Sequence, residues 1–209
     1  MDKVGLFLKK RYRLVISLVA LFLFLLLALN ILMRNEIGID KFYSNYLSKI
    51  ISEGVTIFFK LITKLGNATA LILITLLSIV FIKNKKIGLF TAINLVSIFI
   101  FNILLKFIFA RPRPIGINLI IEKGYSFPSG HATVSTAFYG MFIYLIWKSN
   151  FTKFYKWLFT ILLSLLIILI CLSRIYLGVH YTSDVLAGFL FSLVYLDIFI
   201  LIVSKYNTK

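Results

Sequence analysis

Long apolar runs separated by short polar stretches dominate the chain, at residues 14–33, 67–82, 87–109, 129–147, 157–172 and 182–203. Each approaches the ~20 helical residues needed to cross about 30 Å of hydrocarbon. The pattern predicts an all-α, polytopic membrane protein with six transmembrane helices in one domain covering residues 1–209. Between the first two runs the rhythm changes. Across residues 39–58 apolar positions such as Ile39, Phe42, Tyr43, Tyr46, Leu47, Ile50 and Ile51 interleave with Asp40, Lys41, Ser44, Asn45, Ser48 and Lys49. That spacing predicts an amphipathic helix after the first span, lying flat at the outer membrane interface or packing against the tops of the spans.

Composition supports this picture: 61% of the 209 residues are hydrophobic and 14% are charged, which excludes an ordinary water-soluble domain. The formal charge of +16 does not point to nucleic acid, because the basic residues flank the apolar runs instead of forming one patch. Lysines and arginines so placed are a topology signal and an anchor to an anionic lipid bilayer. They precede the first run (Lys3, Lys9, Lys10, Arg11, Arg13) and recur at Lys83, Lys85, Lys86, Lys148, Lys153, Lys156, Lys205 and Lys209. The bias places both termini in the cytoplasm. The first run is too long for a signal peptide and lacks a small-residue cleavage site, so it is expected to stay as a span.

Cys171, the single cysteine, lies inside an apolar run and reads as a core residue. The two histidines and seven acidic residues show no metal-ligand spacing, so chemistry without metal or other cofactor is expected. Ionisable residues at span ends are the informative feature, because they are costly in so apolar a chain and mark functional sites. Given six alternating spans, Lys106, Arg113, Ser129, His131, Arg174, His180 and Asp184 all fall at the outer face. Asp197 falls toward the inner end of the last span and reads as structural or interfacial.

Lys106, Arg113 and Arg174 offer three positive charges, two of them forked donors suited to phosphate oxygens. Ser129 and Gly130 lead into a helix whose first amides are unpaired, a further anion site. Asp184 follows His180 by four residues. Its carboxylate can therefore bind one ring nitrogen and leave the other free to attack. His131 can donate a proton to the departing alkoxide. Together these residues predict phosphoryl transfer through a phosphohistidine.

Three stretches carry a family resemblance: Lys106 with Arg113-Pro114, Pro128-Ser129-Gly130-His131, and Ser173-Arg174 with His180 and Asp184. In order and spacing they closely resemble the signature of the type 2 phosphatidic acid phosphatase superfamily of membrane lipid phosphatases. The resemblance implies that His180 is the nucleophile, Asp184 its orienting partner and His131 the general acid. It assigns Lys106, Arg113, Ser129, Gly130 and Arg174 to the phosphate. Arg111 also precedes a proline, but the spacing from Lys106 selects Arg113 and leaves Arg111 an auxiliary contact at best. The sequon at Asn67 carries little weight beside a span.

The implied activity is metal-independent hydrolysis of the terminal phosphate or diphosphate of a membrane lipid, at the outer face of the plasma membrane. Phosphatidylglycerophosphate, undecaprenyl pyrophosphate and phosphatidic acid are the implied substrate class. A lipid-to-lipid phosphotransferase of the same family and a non-catalytic lipid-binding membrane protein are the alternatives. Formation of a phosphorylated acceptor separates the first, and phosphate release that His180→Ala abolishes excludes the second.

Overall fold

The computed structural model describes residues 3–34, 37–40, 51–82 and 84–206. Its helices are α1 (Lys3–Leu32), α2 (Glu53–Lys64), α3 (Ala68–Phe81), α4 (Lys85–Phe109), α5 (Gly130–Lys148), α6 (Lys153–Tyr176) and α7 (Thr182–Tyr206). No strand occurs among the described residues.

Helix α5 is the hub, packing against α4, α6 and α7, while α1 covers α7, α2 lies on α6 and α3 lies on α4. Its sequence suits that position. Thr133, Ser135 and Thr136 alternate with Ala132, Ala137 and Phe138 in an almost unbroken buried stretch. Small and hydroxylated residues let neighbouring helices approach closely. Polar contacts pin the packing: Asn94 of α4 donates to the Ala137 carbonyl at 3.1 Å, and Ser192 of α7 donates to the Thr133 carbonyl at 2.7 Å.

Long apolar side chains stand outward around this hub, including Val80 and Phe81 of α3, Phe107 of α4 and Phe154 of α6. Exposed apolar surface on that scale belongs in lipid. Among the described residues, four helices are long and apolar enough to cross a membrane: the 11–32 part of α1, α4, α6 and the 182–205 part of α7. A fifth candidate is α2 with α3, bent by 45° at the break between them. The chain is thus a multi-pass membrane protein. Helix α3 has 14 residues, about 21 Å at 1.5 Å per residue, and falls short of a bilayer by itself. The run at 67–82 is therefore one arm of a bent pair. The run at 129–147 corresponds to α5, whose polar residues face other helices and lower its apolar content.

The helix predicted over 39–58 is not continuous. Residues 41–50 lie outside the described residues; Ile51 and Ser52 are not helical, with Ser52 extended at φ −140° and ψ 156°. Helix α2 begins at Glu53 and runs past the predicted end to Lys64. Asp40, expected on a polar face, is instead buried against α7. Asp197 accepts from Arg13 at 2.8 Å and Ser17 at 3.0 Å, joining α1 to α7 as a structural residue.

Candidate active site

Helix α4 stops where its sequence requires. Ala110 takes a left-handed conformation at φ 42°, its N–H closing on the Lys106 carbonyl at 2.9 Å. The two prolines that follow cannot continue a helix. The chain then loops from 110 to 129 over the end of the bundle and returns as α5. A second loop, 177–181, joins α6 to α7 and is tied to the first by the Leu119 N–H to the Leu177 carbonyl at 3.0 Å. At Gly178 φ is +74° and an added Cβ would lie 2.0 Å from the Ile117 carbonyl oxygen, so only glycine allows the two loops to meet.

One cavity of about 450 Å³ opens between these loops and the helices. Lys106, Arg113, Gly130, His131 and His180 line its polar end, so residues distant in the chain share one chamber. Leu71 and Ile72 of α3 and Leu95, Val96, Phe99 and Ile103 of α4 form its apolar wall. Ser129, Arg174 and Asp184 stand behind the lining, all fully or almost fully buried.

His180 is 4% exposed and Asp184 is fully buried. The predicted pairing is present: Asp184 Oδ2 lies 3.5 Å from His180 Nδ1. That distance exceeds a direct hydrogen bond. Ser126 fills the gap, with its hydroxyl 3.3 Å from Nδ1 and donating to Oδ2. On the other side of the ring, Arg113 Nη1 lies 3.2 Å from Nε2. A guanidinium can only donate, so Nε2 carries the lone pair and Nδ1 the proton. Burial pushes the His180 pKa down to about 4; the nearby charge of Asp184 opposes this, and Lys106 and Arg113 add to it. The imidazole is neutral at pH 7, with its electron pair at Nε2 facing the Arg113 guanidinium.

The cations are more fully engaged than the sequence suggests. Lys106 donates to the Tyr125 carbonyl, and Arg113 donates to the carbonyls of Gly124, Lys123 and Val179 at 3.0, 2.9 and 2.8 Å. Arg174 is 1% exposed; it donates to Thr63 of α2 at 2.7 Å and to Glu122 at 2.5 Å. Its Nε and the Ser129 hydroxyl are buried without a hydrogen-bond partner among the described residues. These two groups have unspent capacity for an anion. The Ser129 N–H is already committed to the Asp184 carbonyl at 3.0 Å. Among the described residues, no three His, Cys, Asp or Glu side chains gather as a metal site.

Several participants were invisible in the sequence. Glu122 lines the cavity, bonds Arg174 and lies 3.9 Å from Arg113, so a carboxylate shares the cationic cluster. Its only sequence signal was an acid in a basic loop. Arg111 is more than an auxiliary contact. It donates to Asp184 Oδ1 at 2.5 Å, Ser183 Oγ at 2.7 Å and Asp40 Oδ2 at 2.8 Å, and lies 3.9 Å over the Tyr181 ring. Burial pulls its pKa down, but Asp184 and Asp40 together hold it above its ordinary value. Asp40 also accepts from Ser183 N–H at 2.9 Å and Ser183 Oγ at 2.7 Å.

Comparison with known proteins identifies the family and fold. The PAP2 superfamily matches residues 86–208. Phosphatidylglycerophosphatase B of Bacillus subtilis is 37% identical over 89 residues, 42% of this chain and 44% of that protein. Undecaprenyl-diphosphatase of Sulfolobus acidocaldarius is 29% identical over 152 residues, 70% of this chain and 68% of that protein. The crystal structure of a transmembrane PAP2 type phosphatidylglycerolphosphate phosphatase from Bacillus subtilis superposes with a TM-score of 0.79 at 25% identity. That match covers 92% of this chain and 96% of the other.

Proposed function

Since this chain belongs to the PAP2 superfamily, we propose that it hydrolyses the terminal phosphate or diphosphate of membrane lipids through a phosphohistidine on His180. The observation that carries the reading is the single cavity in which His131, His180, Lys106 and Arg113 meet an apolar wall from α3 and α4. A lipid phosphate has this duality of charged head and hydrocarbon tail.

His180 Nε2 attacks phosphorus while the bond to the leaving oxygen breaks, and His131 gives that oxygen a proton. Asp184, through contact and through Ser126, balances the charge that develops on His180. Lys106, Arg113, Arg174, Ser129 and Gly130 hold the non-bridging oxygens, where the transition-state charge spreads. In the second half, His131 takes a proton from water as the water oxygen attacks phosphorus. The N–P bond breaks, and inorganic phosphate leaves.

The relatives' names direct attention to phosphatidylglycerophosphate and undecaprenyl diphosphate as substrates, with phosphatidic acid as the simplest member of the class. The chain acts as one domain of six spans in the plasma membrane. The basic loops and both termini are inside, and the cavity opens at the extracytoplasmic face. Phosphate release from a panel of purified lipid phosphates and diphosphates in detergent tests the reading. Turnover of none of them refutes it.

Three cationic side chains supply the charge stabilisation for which many phosphatases recruit metal ions. Activity is therefore expected to survive excess EDTA unchanged, and its loss, restored by a divalent cation, refutes the metal-free mechanism. The pH profile provides a second check. Protonation of His180 removes the nucleophilic pair, so kcat/KM should fall as pH drops through about 4, not through the ordinary histidine value. This limb should emerge after correction for the substrate's second phosphate ionisation, about 6. A corrected midpoint near pH 6.5 contradicts the buried, neutral imidazole.

A further inference from the structure

His131, the proton donor in the proposed mechanism, has a partner that its motif does not include. Its Nε2 lies 2.6 Å from Oδ1 of Asn67, at the break between α2 and α3. A carbonyl oxygen can only accept, so this contact keeps a proton on Nε2, fixes the ring's rotation and leaves Nδ1 as the nitrogen that passes a proton to the leaving oxygen and later takes one from water.

The bland role for an asparagine here is helix capping, since Asn67 is the N-cap residue of α3. Its side chain makes no capping hydrogen bond. The amide oxygen is directed to His131 instead, although N-cap asparagines ordinarily serve the helix amides. The backbone around it is built for this approach. An added Cβ at Gly66 would stand 3.0 Å from His131 Cδ2 and 2.9 Å from both Ser135 Oγ and Ile170 Cγ2, so a larger residue would push the break off α5 and α6. Tyr139 of α5 donates to the Leu65 carbonyl at 2.7 Å, holding the same break from the other side.

We propose that Asn67 is a positioning residue for the phosphoryl-transfer reaction, orienting His131 as Asp184 orients His180. The inference rests on the phosphohistidine reading above and adds a division of labour to it. The nucleophilic ring pairs with a carboxylate, which supports the positive charge it acquires on attack. The acid ring pairs with a neutral amide, which aligns it without adding negative charge that would hold its proton back.

The dependence on leaving group tests this. An alkyl lipid phosphate such as phosphatidic acid must receive a proton as its alkoxide departs, whereas p-nitrophenyl phosphate releases a stabilised phenolate that needs little help. We compare kcat/KM for both substrates, which reports the steps up to phosphorylation of His180, in wild type, Asn67→Ala, Asn67→Asp and His180→Ala. Asn67→Ala should lose 10- to 100-fold, as an order of magnitude, on phosphatidic acid and less than about threefold on the aryl phosphate. Asn67→Asp, which keeps an acceptor oxygen, should recover part of the loss on phosphatidic acid.

The ratio between substrates cancels any loss of folded protein. Equal losses on both substrates, or no loss on either, overturn the role of Asn67. A drop on phosphatidic acid that Asn67→Asp leaves wholly unrelieved does so too. Undiminished turnover by His180→Ala overturns the phosphohistidine reading itself, whatever Asn67 does.

Discussion

His180→Ala is expected to abolish phosphate release, lowering kcat on the order of 10⁴-fold or more, because the nitrogen assigned the attack on phosphorus is gone. Lys106 and the arginines of the cluster are cations without a free pair, Glu122 is engaged by Arg174, and His131, held at Nε2 by Asn67, is assigned to proton transfer. In the wild type, rapid acid-free quenching during turnover of a ³²P-labelled lipid phosphate should trap label on the protein, stable to base and labile to acid. His180→Ala should trap none. Retained turnover, or label that survives acid, contradicts the nucleophile assignment. The variant is expected to keep its fold, because the ring packs in loop 177–181 rather than in the apolar core.

Arg111→Leu should produce the second largest effect, through a residue that touches no substrate in the proposed mechanism. Arg111 is the cation between two buried carboxylates, Asp40 and Asp184. Removing one partner of a buried ion pair typically costs about 3–5 kcal/mol, since the other charge is left uncompensated. Asp184 then either stays charged at that cost or takes up a proton, and in the second case it ceases to select the His180 tautomer. Thermal unfolding in detergent should therefore begin at lower temperature. The folded fraction should also turn over more slowly, by roughly 10²-fold or more given what loss of tautomer control costs a catalytic histidine. Adding Asp40→Asn to Arg111→Leu should relieve part of the instability, because one of the two stranded charges is gone. Unfolding and turnover both at wild-type level in Arg111→Leu would remove Arg111 from the site's support.

The comparison between Arg113 and Arg111 shows how far sequence reading reaches. Spacing from Lys106 selected Arg113, and Arg113 does line the cavity beside His180. The same spacing argument dismissed Arg111, which holds Asp184 from behind. A motif records groups that must meet a common ligand, and it says little about the groups that hold those in place. Glu122, Ser126 and Asn67 were missed for the same reason: each lies in a loop or helix break where hydrophobic periodicity is silent. Helix α5 differs: its run reads in the sequence simply as a span, and only the packing makes it the buried hub, with other helices on three sides.

By itself the sequence determined the membrane class, the helical runs, the end of α4 at Ala110 and the chemistry of the motif residues. Each of these follows from local composition or from short-range stereochemistry: apolar length, proline's missing donor, and the donor and acceptor inventory of a side chain. Only the tertiary structure decided that Ser126 stands between Asp184 and His180, that Asp40 and Arg111 lock the start of α7, and that α2 and α3 bend apart to set Asn67 against His131. Such contacts join segments tens of residues apart. Their energies depend on burial and on distances of a few tenths of an ångström, quantities that arise only once the helices have packed.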